Sequence, residues 1–370
     1  IVNLEKYVKV YPNDGEVFRT LGNIYSLKSD FPRAVDAYKM AMPLLKEKNV
    51  CRMPIAEIYI QQKNYSEARK MLNDILAEKP EKGAHLMMGE VLTHQGELKS
   101  ALSHLEKERS LHGNSVVVQE KIAQLYFRQN FQFPAKAEFT KLIELSPSHP
   151  TAYYYLAVLS LREKDRAKAE NFLKKAAALG PGDAVLYEQI GDAYLKIEAG
   201  NKAVESFEKA LSFNGKNVEI LLKLTSVYEK EGNDSMAAET CIRLFNVDNT
   251  KYSGYLAQAG HLFKKIKMDK KAADAYSLFL SRGFKDYNVN SSYAMIMYEN
   301  KDYKKVISLL KMAGISMLQN GNVMMILADS YCKEGQYGDA IPLLSKLLAS
   351  GQESREVMQL SAIAYEKTGD

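Results

Sequence analysis

Apolar positions along this chain recur at helical spacing in pairs of short stretches, and the pairs themselves recur. The clearest pair is Ala184–Asn217. Its first stretch places Leu186, Ile190, Gly191 and Tyr194 three or four residues apart, which stacks them on one helical face. Its second does the same with Ala203, Phe207 and Ala210. Between them Ala199-Gly200-Asn201 predicts a stop at Gly200 as C-cap and a restart at Asn201 as N-cap. The unit therefore reads as a short antiparallel helical hairpin.

Shifting this unit along the chain finds its small first-helix residue again at Gly22, Ala56, Gly89, Ala123, Ala157, Gly191, Thr225, Gly260, Ala294, Ala328 and Ala362, with successive gaps of 33 to 35 residues. Three residues on, an aromatic position holds Tyr25, Tyr59, Leu92, Tyr126, Ser160, Tyr194, Tyr228, Phe263, Met297, Tyr331 and Tyr365. Twelve past the small position, the second stretch offers Ala34, Ala68, Ala101, Ala135, Ala169, Ala203, Ala237, Ala272, Val306 and Ala340. A residue without a long side chain suits a close approach of two helix backbones. One turn further stand Tyr38, Leu72, Leu105, Phe139, Leu173, Phe207, Cys241, Tyr276, Leu310 and Leu344.

Pro12, Pro80, Pro147 and Pro181 follow second helices, where a residue lacking an N–H ends a unit. After residue 182 that position holds no proline; Asn249, Phe284 and Leu318 stand there instead. Together with Thr225 at a small position and Cys241 at a large one, this marks residues 218–320 as the looser part. Residues 1–14 carry only a second helix, with Leu4 and Tyr7 in its core positions. Residues 15–354 hold ten hairpins, and 355–370 only a first helix, about 22 helices in all, as if cut from a longer array.

The order of a large apolar residue, Ile190-Gly191, Tyr194, then Ala203, Phe207 and Ala210, repeated at this period, resembles the tetratricopeptide repeat. The resemblance implies an all-α fold, an α-solenoid forming one right-handed superhelix. It also implies a non-catalytic scaffold that binds partner proteins or peptides in a groove lined by first helices. The positions that contact ligands in this family correspond in the fourth and fifth repeats to Glu120, Gln124, Phe127 and Arg128, then Tyr154, Val158, Leu161 and Arg162. In the sixth and seventh they fall on a mostly charged set that includes Glu188, Asp192, Glu229 and Lys230. The family's clamp for chaperone-tail carboxylates is not matched: Arg19 and Asn23 imitate its first pair, but Pro54, Leu86 and Met87 occupy the positions that follow. Alternatives to a general scaffold are an assembly role in a bacterial envelope, secretion or polysaccharide-export machine, or the substrate-recruiting arm of an enzyme whose catalytic domain lies outside these residues. Val2 and Leu4 at the start, and Val357, Leu360, Ala364 and Tyr365 at the finish, lie on helices without hairpin partners, which predicts weak end-to-end self-association.

Composition changes this picture little. Fifty basic residues against 45 acidic ones leave a formal charge of +5 spread along the chain, which argues for a solvated surface rather than a nucleic-acid face. Cys51, Cys241 and Cys332 are too far apart in a stacked array to pair. Free thiols suit a cytoplasmic location, with a periplasmic or envelope-associated one as the alternative. The longest apolar run, Ala152–Leu161, is too short to span a membrane, and Ile1 in place of a start methionine leaves room for an upstream leader or anchor. There is no Gly-rich phosphate loop, nucleophile elbow or paired Cys-x-x-Cys, so neither enzymatic activity nor a cofactor is expected. Glu90 and His94 lie one turn apart and could share a metal, but spacing places no third ligand. His85, His94, His104 and His112 read as surface positions of one divergent repeat. Lys264, Lys265, Lys267, Lys270 and Lys271 read as a solvated turn. Met295, Met297, Met312, Met317, Met324 and Met325 read as core filler.

Overall fold

The computed structural model describes residues 2–313, 320–352 and 354–369; Met317 and Leu318 lie outside them. Every element among the described residues is helical. The chain forms two compact units, Ile1–Gly182 and Asp183–Asp370. The first carries α1 (Val2–Val10), α2 (Gly15–Leu27), α3 (Phe31–Ala41), α4 (Asn49–Gln61), α5 (Tyr65–Glu78), α6 (Ala84–His94), α7 (Leu98–His112), α8 (Val116–Arg128), α9 (Gln132–Leu145), α10 (Pro150–Arg162) and α11 (Arg166–Leu179). The second carries α12 (Ala184–Lys196), α13 (Gly200–Phe213), α14 (Val218–Lys230), α15 (Asp234–Val247), α16 (Ser253–Lys265), α17 (Asp269–Ser281), α18 (Tyr287–Glu299), α19 (Tyr303–Ala313), α20 (Gly321–Lys333), α21 (Tyr337–Ala349) and α22 (Arg355–Thr368). Each even-numbered helix from α2 to α20 packs on the odd-numbered one that follows, as a hairpin, and α22 packs on α21. Each unit is thus a run of stacked helical hairpins, an α-solenoid.

Packing within a hairpin is set by one cross-helix pair. The small residue of the first helix faces the large residue sixteen positions on, and their sizes compensate. A Cβ added to Gly22 would come 2.7 Å from the Tyr38 ring, on Gly89 2.8 Å from Leu105, and on Gly191 2.5 Å from Phe207. Gly260 is crowded in the same way by Tyr276. Alanine at the small position goes mostly with leucine, as in Ala56–Leu72 and Ala157–Leu173. Thr225 and Cys241, departures when read singly, are partners in this sense: the larger small residue meets the smallest large one. Thr225 Oγ1 donates to the Leu221 carbonyl at 3.0 Å, and the thiol of Cys241 lies within hydrogen-bonding reach of Thr225. Burial pushes that thiol up to about 12. The pair is therefore no mark of a loose repeat.

The turns differ from the sequence expectation. Gly200 is not a C-cap; it opens α13, with Ala199 as N-cap. The left-handed residue is Glu198, at φ 61°. The same position, seven past the small residue, is left-handed in every hairpin, whether it holds Ser29, Lys63, Asn130, Lys164, Lys267 and Lys301 or Gly96, Gly232 and Gly335. A left-handed L-residue costs roughly 1–2 kcal/mol. It is offset by a closed turn in which the following N–H returns to the aromatic-position carbonyl, as in Ala199 to Tyr194 at 3.0 Å and Asn64 to Tyr59 at 2.8 Å. Asp30, Asn64, Asp165 and Asn233 then cap the next helix by accepting from the third N–H beyond. Gly200 lies beside the carboxylate end of exposed Glu231, a flexible side chain that can move aside.

Pro12, Pro80, Pro147 and Pro181 each stand two residues beyond a helix, as expected. Where proline is missing after α15, Asp248 closes the loop instead, accepting from the N–H groups of Thr250 at 3.1 Å and Lys251 at 2.9 Å. At the start, Tyr7 is not a core residue. The single helix α2 covers only one stripe of α1, which carries Leu4 and Val8, so Tyr7 is left exposed against Tyr11 at 4.7 Å. At the finish, Val357 and Ala364 are not on an open face; they are buried in the core that holds Leu344 and Leu347 of α21. Leu360 is half-buried, and the Tyr365 hydroxyl meets Ser345 at 3.1 Å. Met358 and Ile363 are exposed instead. Of the described methionines, Met295, Met297, Met324 and Met325 fill core, whereas Met312 is exposed. The three cysteines are buried and unpaired.

Size compensation predicts coupling. Gly191→Ala forces a methyl into the Phe207 ring, and overpacking of this kind costs about 1–3 kcal/mol, partly offset by about 1 kcal/mol of helix propensity. Adding Phe207→Leu recreates the Ala–Leu pair of other hairpins. Denaturant unfolding is expected to show the double variant more stable than the sum of the single changes by about 1–2 kcal/mol. Simple additivity would contradict the compensation.

Candidate functional site

Helices α8 and α10 are the first helices of adjacent hairpins in the first unit, and between them they carry all eight expected groove residues. Their inner faces are spent on the hairpin core through Ile122, Ala123, Leu156 and Ala157, so the outward residues are available for other contacts. Phe127 near the end of α8 is half-buried, with the edge of Tyr155 at 4.8 Å. The Arg162 guanidinium lies 4.4 Å over its ring, within cation–π range, and donates to Asn130 Oδ1 at 3.0 Å. Tyr154 meets Tyr155 at 5.3 Å, and Tyr155 also stacks on Phe139 of α9 at 4.7 Å. Gln124 Nε2 donates to Glu120 Oε1 at 3.0 Å, and the other Glu120 oxygen lies 3.6 Å from His149 Nε2. Val158 and Leu161 are half-buried on α10, and Arg128 is exposed at the end of α8.

The structure thus joins Phe127 directly to Arg162 and Glu120 to Gln124, and links Tyr154 to Phe127 through Tyr155. Burial first, then the Glu120 carboxylate, raises the Tyr155 hydroxyl above its ordinary value of 10.0, against an opposing pull from Arg128.

Tyr155 was not among the expected positions. It stands two residues before the small position, and that place recurs as a link to the preceding first helix. There Lys121 reaches Glu90 at 3.1 Å and Gln258 reaches Glu229 at 2.5 Å. In the second unit, Lys223 takes Glu188 at 2.9 Å, Asp192 at 3.0 Å and Glu219 at 3.1 Å. Burial opposes its charge, but the three carboxylates together raise the ammonium well above its ordinary value. The signal was present as long polar residues at that one place: Lys121, Gln189, Lys223 and Gln258.

The histidines do not form a surface set. His85 is buried, with its Nδ1 2.8 Å from Nδ1 of half-buried His104. His94 lies flat on Tyr65, ring centres 4.7 Å apart, while Glu90 is taken by Lys121. No group of three or more His, Cys, Asp or Glu side chains is arranged to hold a metal among the described residues. The lysine run is not uniformly solvated either. Lys264 is half-buried, donates to the Ser292 carbonyl at 3.3 Å, and has its ammonium lowered by burial; Lys265 pairs with Asp234 at 2.8 Å. Among the described residues no helix is long and apolar enough to cross a membrane.

Models of the tetratricopeptide repeat match residues 54–113, 121–184 and 184–217. The chain carries repeats of the tetratricopeptide repeat family. It is 22% identical to the TPR repeat-containing protein YpiA of Bacillus subtilis over 83% of this chain and 73% of that one. It is 23% identical to the TPR repeat-containing protein MJ1428 of Methanocaldococcus jannaschii, over 72% of this chain and 58% of the relative. ETO1-like protein 2 of Arabidopsis thaliana is 27% identical over 51% of this chain, which spans only 20% of that relative. Among solved structures, PilW, titled a widely conserved type IV pilus biogenesis factor, matches at 16% identity and a TM-score of 0.50, over 57% of this chain and 97% of that one. This likeness supports the fold alone. Repeats of this family make the protein a protein–protein interaction scaffold.

The His85–His104 contact predicts a pH dependence. Burial first, then His85, lowers His104 to about 4; burial first, then Lys107, lowers His85. Both imidazoles bind a proton less readily folded than unfolded, so stability is full above the unfolded value of 6.5 and falls as pH drops towards about 4. Melts recorded across that window are expected to show a smaller acid-side loss for His104→Gln than for the natural protein. An unchanged slope would show that the pair does not couple to folding.

Proposed function

We propose that the face formed by α8 and α10 receives an extended segment of a partner protein, and that the protein acts as a non-catalytic scaffold. The observation that carries this reading is the half-buried aromatic cluster of Phe127, Tyr154 and Tyr155 with Arg162 laid over it. Aromatic and arginine side chains are enriched among residues that dominate binding energy, and rigid rings present large area at small entropic cost. Here three rings from adjacent first helices meet, while the corresponding face of α12 and α14 in the second unit is occupied by the ion pairs of Lys223. Val158 and Leu161 extend the apolar surface along α10.

The test is partner capture by Tyr154→Ala with Leu161→Ala. Isolation of partners on the natural protein, followed by titration of a captured partner, is expected to show a loss of more than about 2 kcal/mol, roughly thirtyfold in affinity, with helical content unchanged. Unaltered affinity in a folded variant would overturn the reading.

A further inference from the structure

Beside the aromatic cluster, α6 and α8 enclose a recess of about 170 Å³ lined by Glu90, Thr93 and His94 on one side and Lys121, Gln124, Leu125 and Arg128 on the other. Most of its polar groups are already committed. Lys121 holds the one carboxylate, Glu90, at 3.1 Å. Thr93 Oγ1 donates to the Gly89 carbonyl at 2.7 Å, Gln124 donates to Glu120 at 3.0 Å, and His94 is fixed by its stack on Tyr65. What remains is a surplus of donors and positive charge. The Arg128 side chain is exposed and joins no hydrogen bond or ion pair among the described residues. With Lys121 it gives the recess two permanent cations against one paired anion.

We propose that this recess is the subsite for an aspartate or glutamate side chain of the partner segment, so that the preferred ligand is an extended peptide carrying a carboxylate next to apolar residues. This rests on the groove reading above and adds the chemistry of the partner. A guanidinium presents a planar fork that matches a carboxylate in two parallel hydrogen bonds, and Arg128 is free to present it. A lysine at the same place on the partner meets Arg128 and Lys121, two like charges, at the rim. Phe127 precedes Arg128 on α8, and its ring is at the edge of the aromatic cluster, so a segment crossing from the recess to α10 passes from the charged contact to the apolar one.

The experiment is selection of displayed random peptides on the immobilised full chain, on Arg128→Glu and on Tyr154→Ala with Leu161→Ala, with helical content of each checked. Peptides from the natural protein are expected to be enriched in Asp or Glu beside aromatic or aliphatic residues. A selected acidic peptide is expected to bind Arg128→Glu about 10- to 100-fold more weakly, the range set by a charged hydrogen-bonded contact. Changing its acidic residue to alanine should abolish most of the difference between the two proteins, and selection on Arg128→Glu should turn toward Lys and Arg. Peptides that lose binding to the Tyr154 and Leu161 variant but are indifferent to Arg128→Glu would overturn this proposal and leave the groove reading standing. Peptides indifferent to both sets of changes would overturn the groove reading itself.

Discussion

The packing of one small residue against one large residue across each hairpin is the constraint on which the rest of the structure depends. It sets how closely the two helices approach, as in the pairing of Gly191 with the Phe207 ring. It also leaves the alanine one turn before the large residue wholly buried, from Ala34 in the first unit to Ala340 in the second. With that face committed to the core, the opposite side of a first helix is left for contacts with the neighbouring first helix, as where Lys223 of α14 reaches Glu188 and Asp192 of α12. Two faces of the same helix thus meet different demands.

That division explains what differs from place to place. The buried face is similar from hairpin to hairpin because room between the two helices is limited there: glycine meets a ring at Gly22–Tyr38, Gly191–Phe207 and Gly260–Tyr276, and Thr225 meets the short Cys241, although Ala123 is set against the larger Phe139. The outer face is under no such demand. On α8 and α10 it gathers rings and arginines; on α12 and α14 it gathers carboxylates about Lys223. The two faces thus have different chemistry at the same positions of one repeat.

The hairpins, their period and their buried residues were legible in the sequence because burial restricts residue type at fixed helical spacing, and Ala203 and Phe207 stand where that spacing requires. The turns were less so. A left-handed residue is readable when it is glycine, but Lys63 and Glu198 take that conformation because the turn's hydrogen bonds close around them. Size pairing was also missed, since Thr225 and Cys241 are sixteen residues apart and only packing shows that they meet. Of the aromatic cluster on α8 and α10, the helix faces that carry Phe127, Tyr154 and Arg162 were legible from their place in the repeat. Tyr155 was not, because the reach of its position to the neighbouring first helix depends on how one hairpin stacks on the next. The His85–His104 contact likewise joins two helices and leaves no local pattern.

The most direct measurement of the central claim is site-specific photocrosslinking with a captured partner. A photoreactive side chain is placed at Val158 on the outer face of first helix α10, and in a second protein at exposed Thr140 on second helix α9. The account predicts a partner crosslink from position 158 and none from 140. A crosslink from 140 with silence at 158 would contradict it.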